Sequence, residues 1–124
     1  MPDAGAAIAQ TVAEQPERRR ALRFPCSGDG APSACLVGAA DREMQVRNIS
    51  IGGIEAVIGQ QAAPSQLLTI ELFNRARNCW HLKAVRIVYA FPHDGVHWRV
   101  GCEFSFPLTA NELQQLLGVK QAPL

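Results

Sequence analysis

The chain has 124 residues, long enough for one apolar core and too short for a multidomain enzyme. Twelve basic side chains against eleven acidic ones leave a net charge of +1, so the chain as a whole has no pull toward nucleic acid or an anionic membrane surface. Any polyanion site must come from local clustering. No window approaches the roughly 18 apolar residues that a membrane-crossing helix needs, so membrane insertion is not expected.

Residues 1–16 are rich in alanine, carry few large apolar side chains and end at Pro16, so they have little to bury and are expected to form a flexible tail. The start reads as too polar for a secretory peptide, with Asp3 early and Gln10, Thr11 and Glu14 interrupting the alanines. A cytoplasmic location follows as the expectation. The basic arm over residues 17–23 comes next, with four arginines, one glutamate and no lysine.

From Phe24 onward, short apolar runs alternate with turn residues, the pattern of an all-β domain. Alternate side chains on a strand face opposite sides, so parity identifies the buried face. Ile54, Ala56 and Ile58 oppose Glu55, and Leu68, Ile70 and Leu72 oppose Thr69 and Glu71. Val96, Trp98, Val100, Cys102, Phe104 and Phe106 share one parity, with His97, Arg99, Gly101, Glu103 and Ser105 on the other. Between Cys79 and Phe91, Trp80, Leu82 and Ala84 have one parity, and Val85, Ile87, Tyr89 and Phe91 have the opposite one. A bulge near Ala84 is expected to bring both sets to the core. Asp94-Gly95 supplies a hairpin turn before the last strand.

Serial antiparallel strands with one polar and one apolar face predict a small closed barrel, because closure removes exposed edges. After Pro107 the spacing of Leu113, Leu116 and Leu117 predicts a helix over about residues 109–117, with Thr109 and Glu112 as its capping box and Gly118 at its end.

Two segments carry recognition chemistry. Arg19-Arg20-Ala21-Leu22-Arg23 has the form RxxxR, and Asn48-Ile49-Ser50-Ile51-Gly52-Gly53 has the form NxSxxG. Arginine's planar fork suits phosphate and guanine edges, and its flat face stacks on purines. Asn48 and Ser50 share a parity that sends both side chains to one face, with Ile49 and Ile51 toward the core. Gly52 and Gly53 offer positive φ and close backbone approach.

In their order and spacing, and in the all-β pattern between and after them, the two motifs resemble the PilZ domain over roughly residues 17–117. The resemblance implies a six-stranded antiparallel β-barrel that binds the bacterial second messenger cyclic di-GMP as a receptor and regulates a protein partner in motility, biofilm or exopolysaccharide control. It also implies a site of Arg18, Arg19, Arg23, Asn48, Ser50, Gly52 and Gly53, with Arg20 and Gly101 as secondary candidates. Within that set, Arg19 and Arg23 go to phosphate and guanine, Asn48 and Ser50 to guanine, and Gly53 to close backbone approach. The alternative is a PilZ-like interaction module in pilus or flagellar control that does not depend on the nucleotide.

No cofactor or metal is expected. The four cysteines lack paired spacing and read as structural thiols, and His93 and His97 straddle a turn. Cys79 and His81 share a strand face without an evident orienting group, so no catalytic pair is expected and the chain reads as a binding protein rather than an enzyme.

Overall fold

The computed structural model describes residues 22–118; residues 1–21, with Arg18, Arg19 and Arg20, and residues 119–124 lie outside the described range. The expectations for the tail and for most of the basic arm therefore fall outside it.

Seven strands follow in order: β1 (Phe24–Pro25), β2 (Ser33–Leu36), β3 (Glu43–Ile49), β4 (Gly53–Ile58), β5 (Leu67–Asn74), β6 (Cys79–Pro92) and β7 (Trp98–Phe104). Helix α1 (Ala110–Leu117) comes last. Strands β2 to β7 close into a six-stranded antiparallel barrel in the order β3-β2-β5-β6-β7-β4, with β4 returning to β3. Closure pairs both edges of every barrel strand, as the serial apolar runs predicted.

Strand β1 is the addition. It pairs Phe24 with Ile49 and Pro25 with Asn48. Because β4 runs along the other edge of β3 from Met44 to Ile49, β1 must share the edge that β2 uses at Glu43 and Met44. This short pairing brings Arg23 to the end of β3.

The interior is filled by branched aliphatics at the predicted parity. Ile54, Ile58, Ile70, Leu72, Val85, Ile87 and Val100 are each no more than 1% exposed. Helix α1 contributes Leu113 and Leu116 to the same core. Its start has the expected reciprocal cap, in which Glu112 N–H donates to Thr109 Oγ1 and Thr109 N–H donates to Glu112 Oε1. Gly118 closes it in the left-handed region at φ 74°. Asn74, at the end of β5, donates to the carbonyl of Leu116 at 2.6 Å and to that of Gly30 at 2.9 Å, which ties the helix to the barrel.

Three parity expectations need correction. Trp80, Leu82 and Ala84 face outward, while Cys79, His81, Lys83, Val85 and Ile87 hold the inward parity without interruption. The bulge lies at Val88, not near Ala84. Beyond it the parity flips, so that Tyr89 and Phe91 stand on the outer face with rings 5.5 Å apart. Trp80 stacks at 5.8 Å on its cross-strand partner Phe73. Val96, before β7, and Phe106, past its end, are 68% and 78% exposed instead of buried.

Cys26 and Cys102 are buried thiols, pushed up by burial to about 11 and about 12. Cys35 and Cys79 are only partly covered. Among the described residues no helix is long and apolar enough to cross a membrane.

Candidate functional site

The register of four strands places one row of residues across the outer face of the barrel. Asn48 on β3 pairs with Glu55 on β4, Glu55 with Gly101 on β7, and Gly101 with Tyr89 on β6. A bulge at Arg47 sets the phase of Asn48, and the bulge at Val88 turns Tyr89 outward. The row therefore depends on two departures from strict alternation.

Its side chains form one connected network. Arg23 donates to Asn48 Oδ1 at 2.8 Å, and Asn48 Nδ2 donates to Glu55 Oε1 at 2.8 Å. The other Glu55 oxygen accepts the Tyr89 hydroxyl at 2.9 Å and faces Arg99 Nε at 3.3 Å. Burial of Tyr89 raises its phenol above the ordinary value of 10, and the Glu55 carboxylate adds to this while Arg23 and Arg99 oppose it. Two residues along β4 and β7, Gly53 and Glu103 form a second row with Arg86 of β6, which is paired to Glu103.

Beside the network lies a pocket of about 130 Å³, bordered by Arg23, Gly52, Gly53, Tyr89, Gly101 and Glu103 among others. One guanidinium, Arg23, and one carboxylate, Glu103, thus border a shallow cleft, with Glu55 and Arg99 in the adjoining network. Such a surface offers bidentate donors to an anion or a purine edge, and acceptors to a ligand's own N–H groups.

The sequence-derived residues divide clearly. Arg23, Asn48, Gly52, Gly53 and Gly101 converge on this corner. Ser50 also lines this pocket, but its hydroxyl folds back into the turn. It lies past the end of β3 and is only 3% exposed. Its hydroxyl accepts from Gly52 N–H at 3.2 Å and Gly53 N–H at 3.3 Å and lies 3.4 Å from the Gly53 carbonyl. Strand parity extended through the β3–β4 turn thus gave the wrong direction for its hydroxyl, because a serine that begins a turn folds that group back onto the backbone. The same turn leaves Ile51 39% exposed instead of in the core.

The glycines also act differently from the expectation. Neither Gly52 nor Gly53 has a positive φ. Gly53 is required by strand packing, since a β-carbon there would stand 2.0 Å from the Cys102 carbonyl oxygen. A β-carbon at Gly52 would meet nothing within 4 Å, so its lack of a side chain keeps the pocket border open.

Sequence reasoning missed Glu55, Tyr89, Arg99, Glu103 and Arg86. The outward parity of Glu55, Arg99 and Glu103 was a readable signal. Tyr89 was not readable, because a one-residue bulge decides its face.

Among the described residues no group of three or more His, Cys, Asp or Glu side chains is arranged to hold a metal ion. No family model matches the sequence, and no curated protein matches it.

Proposed function

We propose that this chain is a cyclic di-GMP receptor of the PilZ type, with the ligand seated at the corner formed by Arg23, Asn48 and the β3–β4 turn. The observation that carries the reading is the 2.8 Å contact between Arg23 and Asn48, which joins the end of the RxxxR segment to the start of the NxSxxG segment across 25 positions. Two motifs that meet on one rim, beside an open cleft, are what a shared ligand would require.

The chemistry is consistent with this use. Cyclic di-GMP presents two phosphodiester charges and two guanines, whose O6 and N7 accept from a guanidinium fork. Among the described residues, exposed Arg23 has a neutral amide as its hydrogen-bond partner, and an anionic ligand would be a stronger partner than that amide. Arg19 and Arg18 extend the same segment, and Arg20 remains secondary. Ser50 shapes the turn, and Gly52 and Gly101 leave room. Ligand binding that reorders the arm would alter the surface offered to a partner protein, and this is the route to a regulated output.

Calorimetric titration of cyclic di-GMP into the full chain tests the proposal. A charge-assisted bond contributes about 1.5 to 3 kcal/mol, so Arg23→Ala is expected to weaken binding by roughly 10- to 150-fold. Asn48→Ala, which also frees Glu55, is expected to weaken it as well. No saturable heat with the wild-type chain would overturn the receptor reading. The nucleotide-independent interaction module would then stand, and the exposed Trp80, Leu82 and Leu67 on the β5–β6 face are the observation that favours it.

A further inference from the structure

A second cluster lies away from this corner, where β6 begins beneath helix α1. Cys79, His81 and Lys83 are successive inward-parity residues of β6. Cys79 Sγ is 3.4 Å from His81 Nε2, and the other ring nitrogen of His81 is 3.7 Å from Glu112 Oε2 on α1. Glu112 is oriented by its own partners. Its Oε1 accepts from Thr109 N–H at 2.9 Å and from Lys83 Nζ at 3.3 Å, which leaves Oε2 toward the imidazole. The orienting group that β6 does not supply thus comes from the helix.

The thiol opens on a pocket of about 360 Å³ lined by Arg77, Asn78, Cys79, Trp80, His81 and Gln115. A nucleophile, an adjacent base and an acidic orienter beside a cleft of small-molecule size make a reactive set. The 3.7 Å separation is too long for a hydrogen bond, so Glu112 acts on His81 through charge.

We propose that Cys79 is a site of reversible mixed-disulfide formation with small disulfides that carry carboxylates, with His81 as the proton acceptor and Arg77 as the carboxylate anchor. Burial raises the Cys79 thiol, Glu112 adds to that and Arg77 opposes it. The group therefore rests protonated at neutral pH and needs a base within reach. Once deprotonated, a thiolate of high intrinsic basicity is the stronger nucleophile toward a disulfide.

The exchange balances without another reactant. The Cys79 proton passes to His81 Nε2, and Sγ attacks one sulfur of the incoming disulfide. The new S–S bond forms as the old one breaks, and the departing thiolate takes the proton from His81 to leave as a thiol. Cys79 is oxidised and half of the reagent is reduced. The resulting adduct stands beside Gln115, whose Oε1 lies 3.8 Å from Sγ, so modification bears directly on α1.

The test treats the full chain with oxidised glutathione and follows each cysteine by peptide mass mapping over time. Modification of Cys79 is expected, and His81→Gln is expected to slow it by about tenfold or more while leaving Cys35 unchanged. Arg77→Ala is expected to slow reaction with oxidised glutathione but not with the neutral bis(2-hydroxyethyl) disulfide. Failure of Cys79 to react in the wild-type chain, or an unchanged Cys79 rate in His81→Gln, would overturn the proposal. Should His81→Gln speed reaction at all four cysteines, the barrel has loosened and the Arg77→Ala pair decides. Equal rates with and without Arg77 for both reagents, or equal losses for both, count against the site.

Discussion

The ring of Tyr89 occupies the space that Gly101 leaves by having no side chain. A β-carbon at Gly101 would stand 2.2 Å from Tyr89 Cε2. The two residues pair across β6 and β7, and the ring crosses the glycine to reach Glu55 on β4. One missing side chain thus lets three strands share a hydrogen-bonded network.

Gly101→Ala should therefore displace the ring and break its contact with Glu55. Overpacking of this kind costs about 1 to 3 kcal/mol, read as a lower urea midpoint at an unchanged slope. A midpoint equal to that of the wild type would mean that the ring moves aside freely and that the row is not fixed by packing.

The raised phenol of Tyr89 gives a second test, and because the chain has a single tyrosine, phenolate absorbance reports this group alone. The folded chain holds the proton more tightly than the unfolded one. Stability from this source is thus full below the ordinary value of 10 and falls as pH rises through the raised one. Glu55→Gln removes the nearby negative charge and should bring the midpoint down toward 10. A wild-type midpoint at or below that value would show that burial and Glu55 do not act as argued.

Ser50→Ala separates a turn role from a ligand role. Loss of the hydroxyl leaves the N–H groups of Gly52 and Gly53 without this acceptor, at a cost of about 1 to 3 kcal/mol where such groups are buried. The expected outcome is a destabilised chain even without nucleotide, measured by chemical denaturation. Unchanged stability combined with lost nucleotide affinity would instead return the hydroxyl to the ligand.

Much of this architecture was legible in the sequence; apart from Trp80, Leu82 and Ala84, whose apolar outer-face parity imitates a buried one, the failures share one cause. Parity placed Ile54, Ala56, Ile58, Ile70 and Leu72 in the core, and the Thr109–Glu112 box placed the helix start. Each of these depends on a local period. Ser50, Ile51, Tyr89 and Phe106 were misread where the period stops, at a turn, a bulge or a strand end. The candidate site was half legible for the same reason. Arg23 and Asn48 announce themselves by type and spacing, whereas Glu55 and Tyr89 enter through register, which only strand pairing across the barrel decides. Glu112 beside His81 is a further case, since no local pattern links a helix cap to a strand before it.

The β6–β7 turn supplies the last prediction. Asp94 is exposed, yet its carboxyl is held down from 3.8 to about 2, first by the N–H of Val96 and then by the N–H and ring of His97. A carboxylate that accepts several N–H bonds resists protonation, because a proton on it would displace a donor. The folded value lies below the unfolded one, so the contribution to turn stability is present above pH 3.8 and is lost as pH falls through about 2. The carboxyl carbon of Asp94, followed by NMR in acid, should titrate near the lower value. Asp94→Asn keeps one side-chain oxygen but loses the charge, so it should speed amide exchange at Val96 and His97 while leaving the barrel core protected. A carboxyl midpoint close to 4, or exchange unaltered by the substitution, would show that the turn is held by its backbone bond from His93 to His97 and not by Asp94.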